Sequence, residues 1–208
     1  MKNTFQRLTF LFFLSFIFGT TFLCIKDILI IKKLQNTIDI LTDSLGKVNF
    51  ERFYLNQLIS LNSCNTILSE NLYAYELADE ERQNPICLKT IVTSGKNKII
   101  VRYTHIGCNA CTDSTFNLIR RNKRLLDKFE VIVLVDFTDF QTYLKWRKLS
   151  EMTEKVLWLK KGELPFQIEK ENASYIFTVD HSGIASSLFI PKKMFPKYLK
   201  NYLNGLGE

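Results

Sequence analysis

Two cysteines set three apart, Cys108 and Cys111, are the residues of this chain best suited to chemistry. The intervening pair is Asn109-Ala110. A strand precedes the motif and a helix follows it, so the first sulfur falls at a helix N-terminus. Free backbone N–H groups and the helix dipole favour a thiolate there over a thiol. The thiolate is the species that attacks a disulfide, which makes Cys108 the candidate nucleophile. Cys111 lies further into the helix and is the candidate resolving thiol, displacing a mixed disulfide formed on Cys108. Electrons would move between thiols, so the reaction needs no cofactor. His105 could favour the Cys108 thiolate as a neighbouring partial cation, although a histidine at a strand end is more often simply exposed. Asp136 could assist proton transfer, against the commoner role of a cap or turn residue. A zinc site is the competing reading of the pair. It needs about four ligands; His105, Cys108 and Cys111 with Cys87 or His181 would supply them. No second CxxC accompanies the first.

The elements that position the pair are legible from composition. Lys98 to Thr104 is β-branched and aromatic and reads as a strand. Asn109 or Ala110 to about Phe129 reads as a helix with Phe116, Ile119, Leu125 and Leu126 on its apolar side. Val131 to Phe137 is a continuous apolar run of the kind that fills a parallel strand buried on both faces. Phe140 to Leu149 reads as a helix capped by Thr138-Asp139. Val156 to Leu159 is a short strand. Tyr175 to Val179 and Ile184 to Ile190 form a hairpin around Asp180-His181-Ser182-Gly183. Phe195 to Leu203 closes the chain as a helix. A parallel βαβ unit joined to an antiparallel ββα unit predicts an α/β fold, a central mixed sheet with helices on both faces.

Over residues 96 to 205 this pattern resembles the thioredoxin family. The segments that carry the resemblance are VRYTHIGCNACTDSTFNLI, then VIVLVDF, then SYIFTVDHSGIASSLFI. It implies a thioredoxin-like fold with Cys108 and Cys111 as catalytic residues, and protein thiols or disulfides as substrates. It also implies a redox donor or acceptor protein as partner. Two positions depart from the family pattern. Gly107 stands where the family carries an aromatic residue before the first cysteine. Asn172-Ala173-Ser174 stands where the family carries a cis-proline facing the pair.

Upstream, Leu8 to Ile25 is an uncharged apolar run of 18 residues, about the length that crosses a bilayer. Lys2 and Arg7 precede it, as at the start of an export signal. No small-x-small cleavage site follows, and Leu23 before Cys24 spoils a lipoprotein site, so an uncleaved anchor is expected. Flanking charge is nearly balanced. A first segment usually keeps its short basic end in the cytoplasm, which places the remainder outside it. The anchored arrangement resembles membrane-tethered thioredoxin-like proteins of the bacterial envelope.

Past the run, Ile31, Leu34, Ile38, Leu41, Leu45 and Val48 recur in steps of three and four, an a/d heptad seam. The seam suits a homodimer through the stalk, or packing on the chain's own domain. Gly46 to Phe50 predicts a bend. A second helix is predicted through Tyr54, Leu58, Leu61, Leu68, Leu72 and Tyr75, ending at the charged stretch 79–82, with Asn84-Pro85 as a boundary. The expected organisation is thus 1–31 cytoplasmic stub and anchor, 32–84 helical stalk, and 85–208 thioredoxin-like domain.

The 208 residues are 46% hydrophobic and 24% charged, enough apolar material for a core and against global disorder. The formal charge of +7 comes with no nucleic-acid-binding motif. The basic cluster Arg120, Arg121, Lys123, Arg124 and Lys128 reads first as a solvated helix face, second as a site for anionic lipid or an acidic partner. Cys64 and Cys87 could bridge in an oxidising compartment or remain free thiols. Two functions compete: a membrane-anchored thiol–disulfide oxidoreductase, and a non-catalytic thioredoxin-like module that docks a partner protein.

Overall fold

A computed structural model describes residues 2–62, 65–77, 83–107, 109–150 and 152–208, with the side chains of all of these except 2–9, 77, 83, 84, 109 and 110. Cys64 and the charged stretch 79–82 lie outside the described residues. By internal contact the chain forms two compact units, 1–55 and 56–208.

The first unit is a single element. Helix α1 runs from Lys2 to Leu61, so its last turns belong to the second unit. It is not broken at Gly46, so the expected bend or break there does not end the helix. A glycine inside a helix costs only about 1 kcal/mol, and a long cooperative helix tolerates one. From Phe10 on, the helix contains a stretch apolar and long enough to cross a membrane.

The second unit is built on one eight-stranded mixed sheet. In chain order its elements are β1 (Thr66–Ile67), β2 (Tyr73–Leu77), β3 (Gln83–Cys87), α2 (Leu88–Thr93), β4 (Asn97–Tyr103), α3 (Asn109–Arg121), α4 (Lys123–Lys128), β5 (Phe129–Val135), α5 (Phe140–Ser150), β6 (Lys155–Trp158), β7 (Tyr175–Val179), β8 (Ile184–Phe189) and α6 (Pro196–Gly207). A 3-10 turn covers Gln167–Lys170 between β6 and β7. The sheet order is β1-β8-β7-β4-β5-β6-β2-β3.

Strands β4, β5 and β6 are parallel, with Val101 opposite Val133 and Val133 opposite Val156. Strand β7 runs antiparallel to β4, with Ile100 opposite Phe177, and β8 is antiparallel to β7. Central β4 and β5 carry Ile99, Ile100, Val101, Ile132, Val133, Leu134 and Val135, all essentially solvent-free. That continuous burial is the reason their sequences run apolar without alternation. Helices α3, α4 and α6 pack on one another. Helix α5 lays Trp146 and Tyr143 against Tyr103 and Phe137. The βαβ and ββα units predicted from the sequence are both present.

The expected second helix through Tyr75 is corrected. After α1 ends at Leu61 the chain turns at Ser69, whose Oγ accepts from the Asn71 N–H, and then enters the β2–β3 hairpin. Leu68, Leu72 and Ala74 are buried in the sheet unit. Their spacing imitated a helical stripe, but Thr66, Ile67, Tyr73 and Tyr75 are β-branched or aromatic, and packing beside β6 and β8 decided for strand. Asn84-Pro85 is likewise no boundary. Pro85 lies within β3, the outermost strand of the sheet, where a missing N–H is tolerated. The long helix predicted from residue 109 to 129 is two helices. Asn122 interrupts it, and its side chain accepts from the Leu125 N–H as the cap of α4.

Candidate active site

Strand β4 delivers the chain to the site. Its last residue, Tyr103, is buried under Trp146 and Phe137, with ring centroids 4.7 Å and 5.8 Å away. Burial is the main reason its phenol is pushed up to about 12; the Asp113 and Asp136 charges add to the shift. The chain then turns through Thr104-His105-Ile106-Gly107. The Gly107 N–H donates to the Thr104 carbonyl at 3.0 Å, and the His105 N–H donates to Asp136 Oδ1 at 2.6 Å. Asp136 therefore ties the β4 and β5 ends together, as expected of a turn residue. The His105 ring meets the Phe137 edge at 5.5 Å and is exposed.

Cys108, the candidate nucleophile, lies outside the described residues. Helix α3 begins at the next residue, Asn109. Cys111 falls in the first turn of α3 and is 4% exposed. Its carbonyl accepts from Thr115 Oγ1 at 2.9 Å. Thr112 and Thr115 are fully buried beside Phe116 and Ile119 on the helix's inner side. Asp113 points outward, and its carboxyl is raised by partial burial.

Facing this turn is Ser174, the residue immediately before β7. Its Oγ accepts from the Thr104 N–H at 3.2 Å and lies 3.4 Å from Thr104 Oγ1. A Cβ built on Gly107 would stand 2.4 Å from Thr104 Oγ1, 2.6 Å from Ser174 Oγ and 3.2 Å from the Ser174 nitrogen. Gly107 is therefore set by close approach: two hydroxyls occupy the space a side chain would need. No peptide bond among the described residues is cis. The two departures from the family pattern are one structural feature. Ser174 stands at the predicted place before the hairpin, and its contact with Thr104 leaves room only for glycine before Cys108.

Sequence reasoning missed a buried charge network behind Ser174. Arg102 and Glu169 are 0% and 3% exposed. Arg102 donates Nε and Nη2 to Glu169 at 2.9 and 3.2 Å, and Nη1 to the Leu159 carbonyl at 2.8 Å. The Gly162 N–H and the Tyr175 hydroxyl also donate to Glu169, at 2.7 and 2.6 Å. Burial holds the Tyr175 phenol far above its ordinary value, and the Glu169 charge adds to this. The sequence did carry a signal: Lys98 and Arg102 lie on one face of an otherwise apolar strand. Lys98 is buried too, paired with Glu130.

The remaining predicted residues are dispersed. Cys87 is a free thiol at the start of α2, its Sγ 3.3 Å from the Glu70 carbonyl. Hydrogen bonds from Thr90 lower its pKa. Within the basic cluster, Arg120 pairs with Glu154 through two 2.7 Å bonds. Arg121, Lys123 and Arg124 line a cleft of about 450 Å³ with Lys200 of α6.

Neither a protein-family model nor a curated protein matches the sequence. Among solved structures, the chain is similar to the thioredoxin domain of a thiol-disulfide oxidoreductase from Bacteroides vulgatus, at 14% identity and a TM-score of 0.47, over 69% of this chain and 100% of that one. It is similar to a thiol:disulfide interchange protein from Bacteroides sp., at 14% identity and a TM-score of 0.45, over 69% and 91%. A secreted disulfide oxidoreductase of Mycobacterium tuberculosis gives 11% identity and a TM-score of 0.41, over 64% and 94%. On the order and direction of its own strands, with a helix starting directly after the first cysteine of the pair, this chain has the thioredoxin-like fold.

Proposed function

We propose that this protein is a membrane-anchored thiol–disulfide oxidoreductase acting on protein substrates outside the cytoplasm, with Cys108 as nucleophile and Cys111 as resolving thiol. The observation that carries the reading is the start of α3 directly after Cys108, with Cys111 buried in the first helical turn. The helix start favours the Cys108 thiolate, and burial leaves Cys111 shielded from bulky substrates. Further support is that Cys111 is disulfide-bonded, while Cys24 and Cys87 are free; of the two cysteines outside the described residues, Cys64 and Cys108, we take Cys108 as the partner.

In the reductive direction the Cys108 thiolate attacks a substrate disulfide. One S–S bond breaks, one forms between Cys108 and substrate, and the substrate's other sulfur leaves as thiolate. Cys111, deprotonated, then attacks the Cys108 sulfur and releases the second substrate thiolate. The substrate gains two electrons and the Cys108–Cys111 disulfide is formed. A dithiol donor protein returns the pair to the reduced state. The oxidative direction is the reverse sequence.

The test is trapping. A Cys111→Ala variant cannot resolve the mixed disulfide, so envelope proteins accumulate on Cys108 and are released by reductant. Capture that vanishes in Cys108→Ala/Cys111→Ala supports the assignment. No capture, with Cys108 unreactive to alkylation at neutral pH, overturns it in favour of a non-catalytic docking module.

A further inference from the structure

We infer that the helix segment beyond the membrane-length run pairs with a second copy of this chain, as a parallel, in-register, two-stranded coiled coil over Ile31 to Val48. The six seam residues are each between 53% and 64% exposed in the single chain. The same segment carries Lys32, Lys33, Asp39, Asp43 and Lys47, so it belongs in water and not in lipid. Six aligned apolar side chains in water need a cover.

Three observations choose a second copy as that cover. The first is layer composition. With Ile31 as a, the a positions are Ile31, Ile38 and Leu45, and the d positions are Leu34, Leu41 and Val48. Isoleucine at a with leucine at d, as in the first two heptads, selects parallel pairs over trimers and tetramers. The second is the flanks. Positions e and g hold Gln35, Thr37, Thr42, Ser44 and Asn49. In a parallel pair Thr37 meets Thr42 and Ser44 meets Asn49 across the seam, so identical helices approach without like-charge repulsion. The third is where the charge goes. All five charged residues between Ile31 and Val48 fall at b, c and f, facing away, and Lys47 pairs with Asp43 of its own helix at 2.6 Å. A partner with charged e and g positions would find nothing complementary here; a copy of the same chain would.

The test uses the full-length protein in detergent micelles, and none of its results requires a reactive Cys108. Protein mass by light scattering, corrected for detergent, is expected at twice the chain mass, falling to the chain mass in Leu41→Asp. With the five native cysteines replaced by serine, Ile31→Cys and Leu45→Cys are each oxidised to a covalent dimer, while the outward Ile40→Cys is not. These two a positions lie about 21 Å apart along the helix, so an antiparallel pair could not bring both onto themselves. A monomeric mass for the native chain overturns the proposal and leaves the seam to another segment or protein. Equal crosslinking at all three positions also overturns it, as random collision. Because the mass is read on the unmodified chain, a variant that fails to fold does not rescue the idea.

Discussion

Glu169 holds Arg102 in a buried two-point ion pair, and the register partner of Arg102 across the sheet, Tyr175, donates its hydroxyl to the same carboxylate. The pair therefore fastens the start of β7 to the end of β4, and Ser174 is the next residue toward the site.

Truncating one member of a buried pair leaves the other charged and alone, which costs about 3–5 kcal/mol. Glu169→Ala is expected to lower the unfolding free energy by that much, and the denaturant midpoint with it. Arg102→Met/Glu169→Leu is expected to lose less than either single truncation, because no charge is then stranded. Equilibrium unfolding in urea compares the three; a harmless Glu169→Ala would show that the pair does not clamp the strands.

At Gly107 the expectation is steric. Gly107→Ala puts a methyl group inside contact distance of two mutually bonded hydroxyls, and overpacking of this kind costs about 1–3 kcal/mol. In a Thr104→Ala/Ser174→Ala background both obstructing oxygens are gone, and the same substitution is expected to cost less. Thermal unfolding of the four variants gives the coupling.

Asn62 closes a different gap. Its amide donates to the Leu188 carbonyl and accepts from the Leu188 N–H, both at 2.6 Å, so one side chain continues the edge ladder that β1 begins at Ala185 and Ile184. Asn62→Ala is expected to cost about 1–3 kcal/mol, the range for leaving a buried donor or acceptor unsatisfied. Amide hydrogen exchange at Leu188 would quicken, and unchanged protection there would refute the role.

Tyr103 supplies a pH signature. Its folded value, about 12, exceeds the ordinary value of 10. The native state thus holds the proton more tightly than the unfolded chain. The stabilisation is complete below pH 10 and is lost as pH rises toward 12. Tyr103→Phe is expected to remove this part of the alkaline slope, read as the difference between the two proteins' unfolding free energies from pH 9 to 12.

By itself the sequence determined the order of elements around the cysteine pair. Its β-branched runs, the Asp139 cap, whose carboxylate accepts from the Thr142 N–H and hydroxyl, and the Asp180-Gly183 turn are local signals, set within a few residues. The apolar helix and its seam were equally legible, because a period needs only neighbours along the chain. Tertiary structure alone decided the rest. Leu68 to Tyr75 has spacing that serves a helix or a strand, and only the open edge beside β6 chose strand. That Gly107 faces Ser174, 67 positions on, and that Arg102 finds Glu169, depends on β7 running antiparallel beside β4. Contacts of that kind are made by the register of the sheet, and no window of local sequence contains both partners.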